Sequence, residues 1–146
     1  GSVSMSFRKF SGDPDRGKYR AGSIAERDAF VADLCDGEDV EQLSIALDGL
    51  TRSRVNVQQR TMLHPGYRDD VLVTFPEPGV YCIIDNDAPR NDNIRMQEKQ
   101  RQLLGFVRVE GSEGALGASS QKAFIQQFLI EAAEQHMPES IADQVV

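Results

Sequence analysis

The sequence predicts a mainly β fold, an antiparallel sandwich or barrel that also carries two helices. Three observations predict it. Short stretches alternate apolar and polar residues with period two, Gly, Pro and Asp cluster between them, and the spacing turns helical near residues 23–35 and again near 120–136. At 146 residues the chain has the length of one domain with one sizeable core.

The first strand is expected over about residues 3–10, where Val3, Met5 and Phe7 share one side and Ser4, Ser6 and Arg8 the other. "SGDPDRGKYRAG" follows as a loop by composition. Ser23 and Glu26 then form the two halves of a capping box, and Ile24, Ala25, Phe30, Val31 and Leu34 recur at helical spacing up to Cys35. In "EQLSIALDG" the period returns to two, with Leu43, Ile45 and Leu47 on one face and Asp48-Gly49 as a turn signal. "RSRVNVQQRTML" extends the strand pattern to Leu63, and Pro65-Gly66 supplies a fixed φ followed by the positive φ that a type II turn needs.

"VLVTFPEPGVYCIID" reads as a hairpin, with arms Val71–Phe75 and Val80–Asp85 joined by "PEPG". Both faces of the second arm are apolar, which predicts a central strand covered on both sides, with Cys82 opposite Tyr81 and Ile83. "APRNDNIRMQEKQRQ" is an exposed excursion with a helical turn expected near 94–101. "LLGFVRVEG" is the closing strand, about the sixth, with Leu104 and Phe106 on one side and Leu103, Val107 and Val109 less regularly on the other. Beyond the Gly/Ser-rich "GSEGALGASS", the residues Phe124, Ile125, Phe128, Leu129 and Ala132 predict an amphipathic helix that stops before Pro138.

Composition narrows the function classes. The formal charge is −7 and the pI near 4.8, so nucleic acid and anionic lipid are repelled on average, and Arg52, Arg54 and Arg60 form only a loose basic group among acidic neighbours. No apolar run is long enough for a membrane span. Neither nucleic acid nor membrane is an expected partner. The two cysteines, Cys35 and Cys82, form no CxxC pair, which leaves buried thiols of a reducing compartment and a long-range disulfide of an exported protein both open. Asp85, Asp87 and Asp92 lack the central Gly and terminal Glu of a calcium loop and read as a solvated charged loop. A cysteine nucleophile would need a nearby base, and an apolar strand raises a thiol's pKa.

The segment "LHPGYRDDVLVTFPEPGVYCIID" (63–85) resembles the middle cupredoxin domain of laccase-type multicopper oxidases, in which a PG-x-R-x-D-V-L-V turn and strand precede a P-G-x-Y hairpin. "LSIALDGL" and "LLGFVRVEG" are similar to strands on either side of it, so the likeness covers about residues 41–111 and fades outside them. The resemblance implies a Greek-key, cupredoxin-like sandwich over residues 3–117, incomplete at its start, with 118–146 as helix and linker or tail and Gly1-Ser2 as a cloning remnant. A start inside an apolar strand is expected of an excised segment.

For chemistry the resemblance implies mainly an absence. Such oxidases hold copper through His-x-His and His-Cys-His motifs in their first and last domains, and this chain has only His64 and His136. His64 is expected to hydrogen-bond backbone at its turn, and His136 to sit exposed at a helix C-terminus. No catalytic, cofactor-binding or metal-binding residue is therefore expected here. Copper belongs to the parent enzyme, a secreted or periplasmic oxidase that would oxidise a small reducing substrate and reduce dioxygen to water, while this portion alone would be inactive. Export also implies a Cys35–Cys82 bridge, closing a loop of about fifty residues for a stabilisation of about 3–4 kcal/mol. Expected partners are the remaining cupredoxin domains and a second copy pairing through uncovered strands, with the helix at 120–136 as a substitute lid. The alternative is a metal-free cupredoxin-like or immunoglobulin-like module that binds protein or carbohydrate through its loops.

Overall fold

The computed structural model describes residues 2–13, 19, 22–89, 97–111 and 118–138. Among them the chain order is β1 (Val3–Lys9), α1 (Ile24–Leu34), β2 (Gln42–Leu47), β3 (Leu50–Gln58), β4 (Thr61–Leu63), β5 (Asp69–Val73), β6 (Gly79–Asp85), β7 (Gln102–Val109) and α2 (Ala118–His136). Every strand pairing is antiparallel. One sheet has the order β4-β1-β6-β7 and the other β3-β2-β5, which together make a mainly β sandwich.

Strand β6 lies inside the first sheet, between β1 and β7, and its alternation sorts two apolar clusters onto its two faces. On one face Cys82 and Ile84 pack with Phe10, Leu103 and Phe106 against Val31, Cys35, Phe30 and Leu34 of helix α1 and its end. On the other, Tyr81 and Ile83 pack with Phe7, Met5 and Val107 against Val40, Val73 and Phe75 from the side of the second sheet. The expected double cover of this strand, with Cys82 opposite Tyr81, is observed.

Helix α1 begins as the sequence predicts. Ser23 Oγ accepts from the Glu26 amide while the Glu26 carboxylate accepts from the Ser23 amide, and this pair of bonds holds the Glu26 carboxyl below the ordinary range. Arg101 ties the helix to the start of β7 by donating to Asp28, which raises its own pKa further.

Several expectations are corrected. The arms of the expected hairpin do not pair with each other: β5 pairs with β2, whereas β6 pairs with β1 and β7, so "PEPG" carries the chain from one sheet to the other. Alternation cannot distinguish those outcomes, because a strand feeding either sheet shows the same period. The continuous strand expected through Leu63 is divided at Gln59-Arg60 into β3 and β4, which belong to different sheets, and the described strands number seven. The shared face of Leu43, Ile45 and Leu47 is broken by a register shift between Ser44 and Ala46, which leaves Leu47 exposed. A second shift, between Ile83 and Ile84, lets Leu103 and Phe106 face the same cluster while Leu104 is exposed. The polar side of β1 is buried too, since Ser4 and Ser6 lie against Asn86, whose amide nitrogen donates to Ser4 O and Ser6 Oγ.

Residues 97–101 carry a bridge between Ala88 and Lys99 and no helix; the rest of the helical turn expected at 94–101 lies outside the described residues. Helix α2 exposes 62% of Phe124 and 60% of Phe128 while burying Ile125, so those two rings do not act as a lid. No helix among the described residues is long and apolar enough to cross a membrane.

Candidate functional site

A cleft of about 300 Å³ opens on the side of the sandwich where β3 of one sheet hands over to β4 of the other. Its lining combines Arg52, Arg60 and Arg68 with the apolar side chains of Leu47, Met62, Leu63 and Tyr67, together with Gln58, His64 and Asp69. Two tight turns build its rim. Asp48 and Gly49, at φ 52° and 81°, close the β2–β3 hairpin with the paired positive φ values that favour Asp-Gly. Gly66, at φ 87°, closes the turn in which the Tyr67 amide donates to His64 O. The turns are clamped together: the Asp48 amide donates to Arg68 O and the Arg68 amide to Asp48 Oδ1.

The arginines are anchored from behind. Arg52 Nε donates to Ser44 Oγ at 2.8 Å, and that hydroxyl in turn donates to Asp69 Oδ1. Arg60 Nε donates to Asp39 Oδ2 at 3.2 Å, and the other oxygen of Asp39 accepts from Arg8 Nε at 2.6 Å. Burial pushes the Asp39 carboxyl up, but the hydrogen bonds and charge of Arg8, then of Arg60, outweigh it and hold the group below the ordinary aspartate range. The Arg68 guanidinium makes no hydrogen bond among the described residues. The three guanidinium groups of the lining stand with the carboxylate of Asp69, and Asp39 behind Arg60 is shared with Arg8, so guanidinium groups outnumber these two carboxylates and the cleft is locally positive on a chain of net −7. At physiological salt a ligand inside it feels mainly those neighbours, because more distant charges lie beyond the screening length of about 8 Å.

Sequence reading grouped Arg52 and Arg60 with Arg54, yet Arg54 does not line the cleft and Arg68, from the next turn, does. Alternation along β3 places Arg52 and Arg54 on the same side and so cannot separate them; the register irregularity opposite Ser44 and Ala46, which falls between Thr51 and Asn56, is what interrupts that period, and nothing local announces that residue 68 returns to the same place. His64 differs from expectation as well. Its Nδ1 pairs with Ser2 Oγ at 2.7 Å and its ring meets Tyr67, while its backbone carbonyl makes the turn bond. His136 is exposed in the last turn of α2, as expected.

Cys35 and Cys82 form a disulfide between the end of α1 and the middle of β6. Both sulfurs are thereby removed from the possible metal ligands. A blue-copper centre requires a thiolate beside its imidazoles, so these residues do not fit one. Asp85 is not a solvated loop residue: it is 6% exposed, accepts from the Ser4 amide at 2.9 Å, and is neutralised by the Lys99 ammonium. Asp87 is exposed, and Asp92 lies outside the described residues.

Comparison with family models, with curated proteins and with solved structures finds no match to the chain.

Proposed function

We propose that this chain is a copper-free structural domain of the kind found in the middle of laccase-type multicopper oxidases, where it spaces and packs the copper-bearing domains. The observation that carries the proposal is the Cys35–Cys82 bridge: both cysteines of the chain are joined to each other, the strand cysteine to the end of a helix behind the sheet, and neither sulfur is left to hold copper. The antiparallel sandwich and the Gly66 turn before β5 are consistent with the likeness of residues 63–85. A bridge of this kind persists in oxidising compartments, which supports a periplasmic or secreted parent. In that parent, copper and the oxidation of a small reducing substrate belong to flanking domains. A second copy would pair along an outer strand such as β3, where Leu50, Val55 and Val57 are exposed.

The test joins elemental analysis after copper loading to a free-thiol count and to the coding sequence on either side. Sub-stoichiometric copper, no free thiol, and His-x-His and His-Cys-His motifs in the flanking sequence are expected. One tightly held cupric ion per chain would overturn the proposal. The arginine-lined cleft favours a second reading, a metal-free module that binds an anionic group; flanking sequence without those histidine motifs would leave that reading standing alone.

A further inference from the structure

We propose that the cleft between β3, β4 and the Gly66 turn binds a small organic carboxylate, one whose charged group meets the arginines and whose apolar body lies against the wall beside them. Three features argue for it. The arginines are fixed through only part of their donor sets: Arg52 and Arg60 each commit Nε, to Ser44 and Asp39, and their terminal nitrogens make no hydrogen bond among the described residues. Arg68 commits no guanidinium nitrogen among the described residues. Paired N–H groups of this kind match the two oxygens of a carboxylate, which a compact ammonium would not do.

The second feature is how the arginines are held. The Ser44–Asp69 pair sits behind Arg52, and Asp39 behind Arg60, so neither side chain has to be ordered from a free state when a ligand arrives. Asp69 also sets a limit, since a ligand must approach from the arginine side of the cleft to avoid its charge. The third feature is the wall. Leu47, Met62 and Leu63, with the Tyr67 ring, are of little use to a bare inorganic anion but give an aryl or branched alkyl group something to cover. A volume near 300 Å³ suits a small molecule and not a folded partner or a nucleic-acid strand. The assignment does not depend on the identity of the parent, since copper content and flanking sequence can fail their test while the cleft passes its own.

The experiment is a titration of the intact chain followed by NMR at the backbone amides of residues 62–69 and the Nε–Hε groups of the arginines. The probes are 2-naphthoate, its uncharged carboxamide, acetate and inorganic phosphate. Saturable shifts with 2-naphthoate at millimolar concentration or below are expected at Arg52, Arg68 and the turn amides, with weaker responses to acetate and phosphate and none to the carboxamide. Arg68→Gln, at an exposed position, should weaken binding by about tenfold or more, and Arg52→Gln similarly, as removal of a charge-assisted bond does. Arg54→Gln should leave it unchanged. Absence of saturable shifts, a carboxamide or phosphate that binds as tightly as 2-naphthoate, or an equal loss on Arg54→Gln would each overturn the assignment.

Discussion

Thr61 of one sheet donates its hydroxyl hydrogen to the side-chain carbonyl of Gln42 in the other, and both residues are fully buried. The Gln42 amide nitrogen then donates to Met5 O and to Gln59 O, at 3.2 and 3.0 Å, and Gln58 donates to Thr61 Oγ1 at 2.8 Å. A polar group in such a position is tolerated only when its partners are all supplied. Here they are, and the result is a polar clamp between the two sheets where β3 hands over to the outer strand β4.

Replacing Gln42 by Leu keeps the volume but removes the acceptor of the buried Thr61 hydroxyl and a donor to Met5 O and Gln59 O. A loss of about 3 kcal/mol is expected in urea unfolding. The Gln42→Leu/Thr61→Val double variant should recover part of it, giving a coupling of about 1–2 kcal/mol. Strictly additive losses would show that the bond contributes nothing of its own.

The Cys35–Cys82 bridge should contribute about 3–4 kcal/mol, because it closes a long loop in the unfolded chain. Thermal unfolding of the Cys35→Ala/Cys82→Ala variant, or of protein reduced while unfolded and then refolded under reductant, should show a midpoint lower by several degrees. An unchanged midpoint would rule out this contribution.

Asp39 gives the acid limb of stability a definite sign. Its carboxyl is held low in the folded protein, so the stabilisation is present above the unfolded-state pKa of about 3.9 and is lost as pH falls through the lower folded value. Asp39→Asn should therefore be less stable than the parent at neutral pH, with the difference shrinking under strong acidification. A gap that stays constant from neutral pH down through the acid transition would contradict the assignment.

Gly66 has open space where a Cβ would go, but its φ of 87° belongs to the left-handed region. Gly66→Ala should cost about 1 kcal/mol from backbone strain alone. Equilibrium unfolding measures it, and a neutral result would mean that the turn relaxes without cost.

What the sequence made legible was local. The Ser23 capping box, the Asp48-Gly49 and Pro65-Gly66 turns and the two-sided character of Val80–Asp85 all depend on residues close in the chain, and all appear as expected. Errors arise where distant segments decide. Val71–Val73 and Val80–Asp85 have the same period whether they pair with each other or with separate strands. The shift after Ser44 depends on strands β3 and β5 on either side, and the burial of Gln42 depends on Thr61 and Met5. For the same reason the cleft was not legible: Arg52, Arg54 and Arg60 read only as a loose basic group, Arg54 does not line the cleft, and Arg68 joins the other two only because the Asp48 and Gly66 turns are clamped together.

The position of the disulfide also governs how the protein would respond to tension. Strands β2, β3, β4 and β5, and with them the entire second sheet, lie between Cys35 and Cys82. A pull applied at the two ends travels through β6 and the bridge and bypasses that covalent ring. The oxidised molecule should thus extend by about 160 Å less than the reduced one when stretched to full length, with its second sheet shielded from the load.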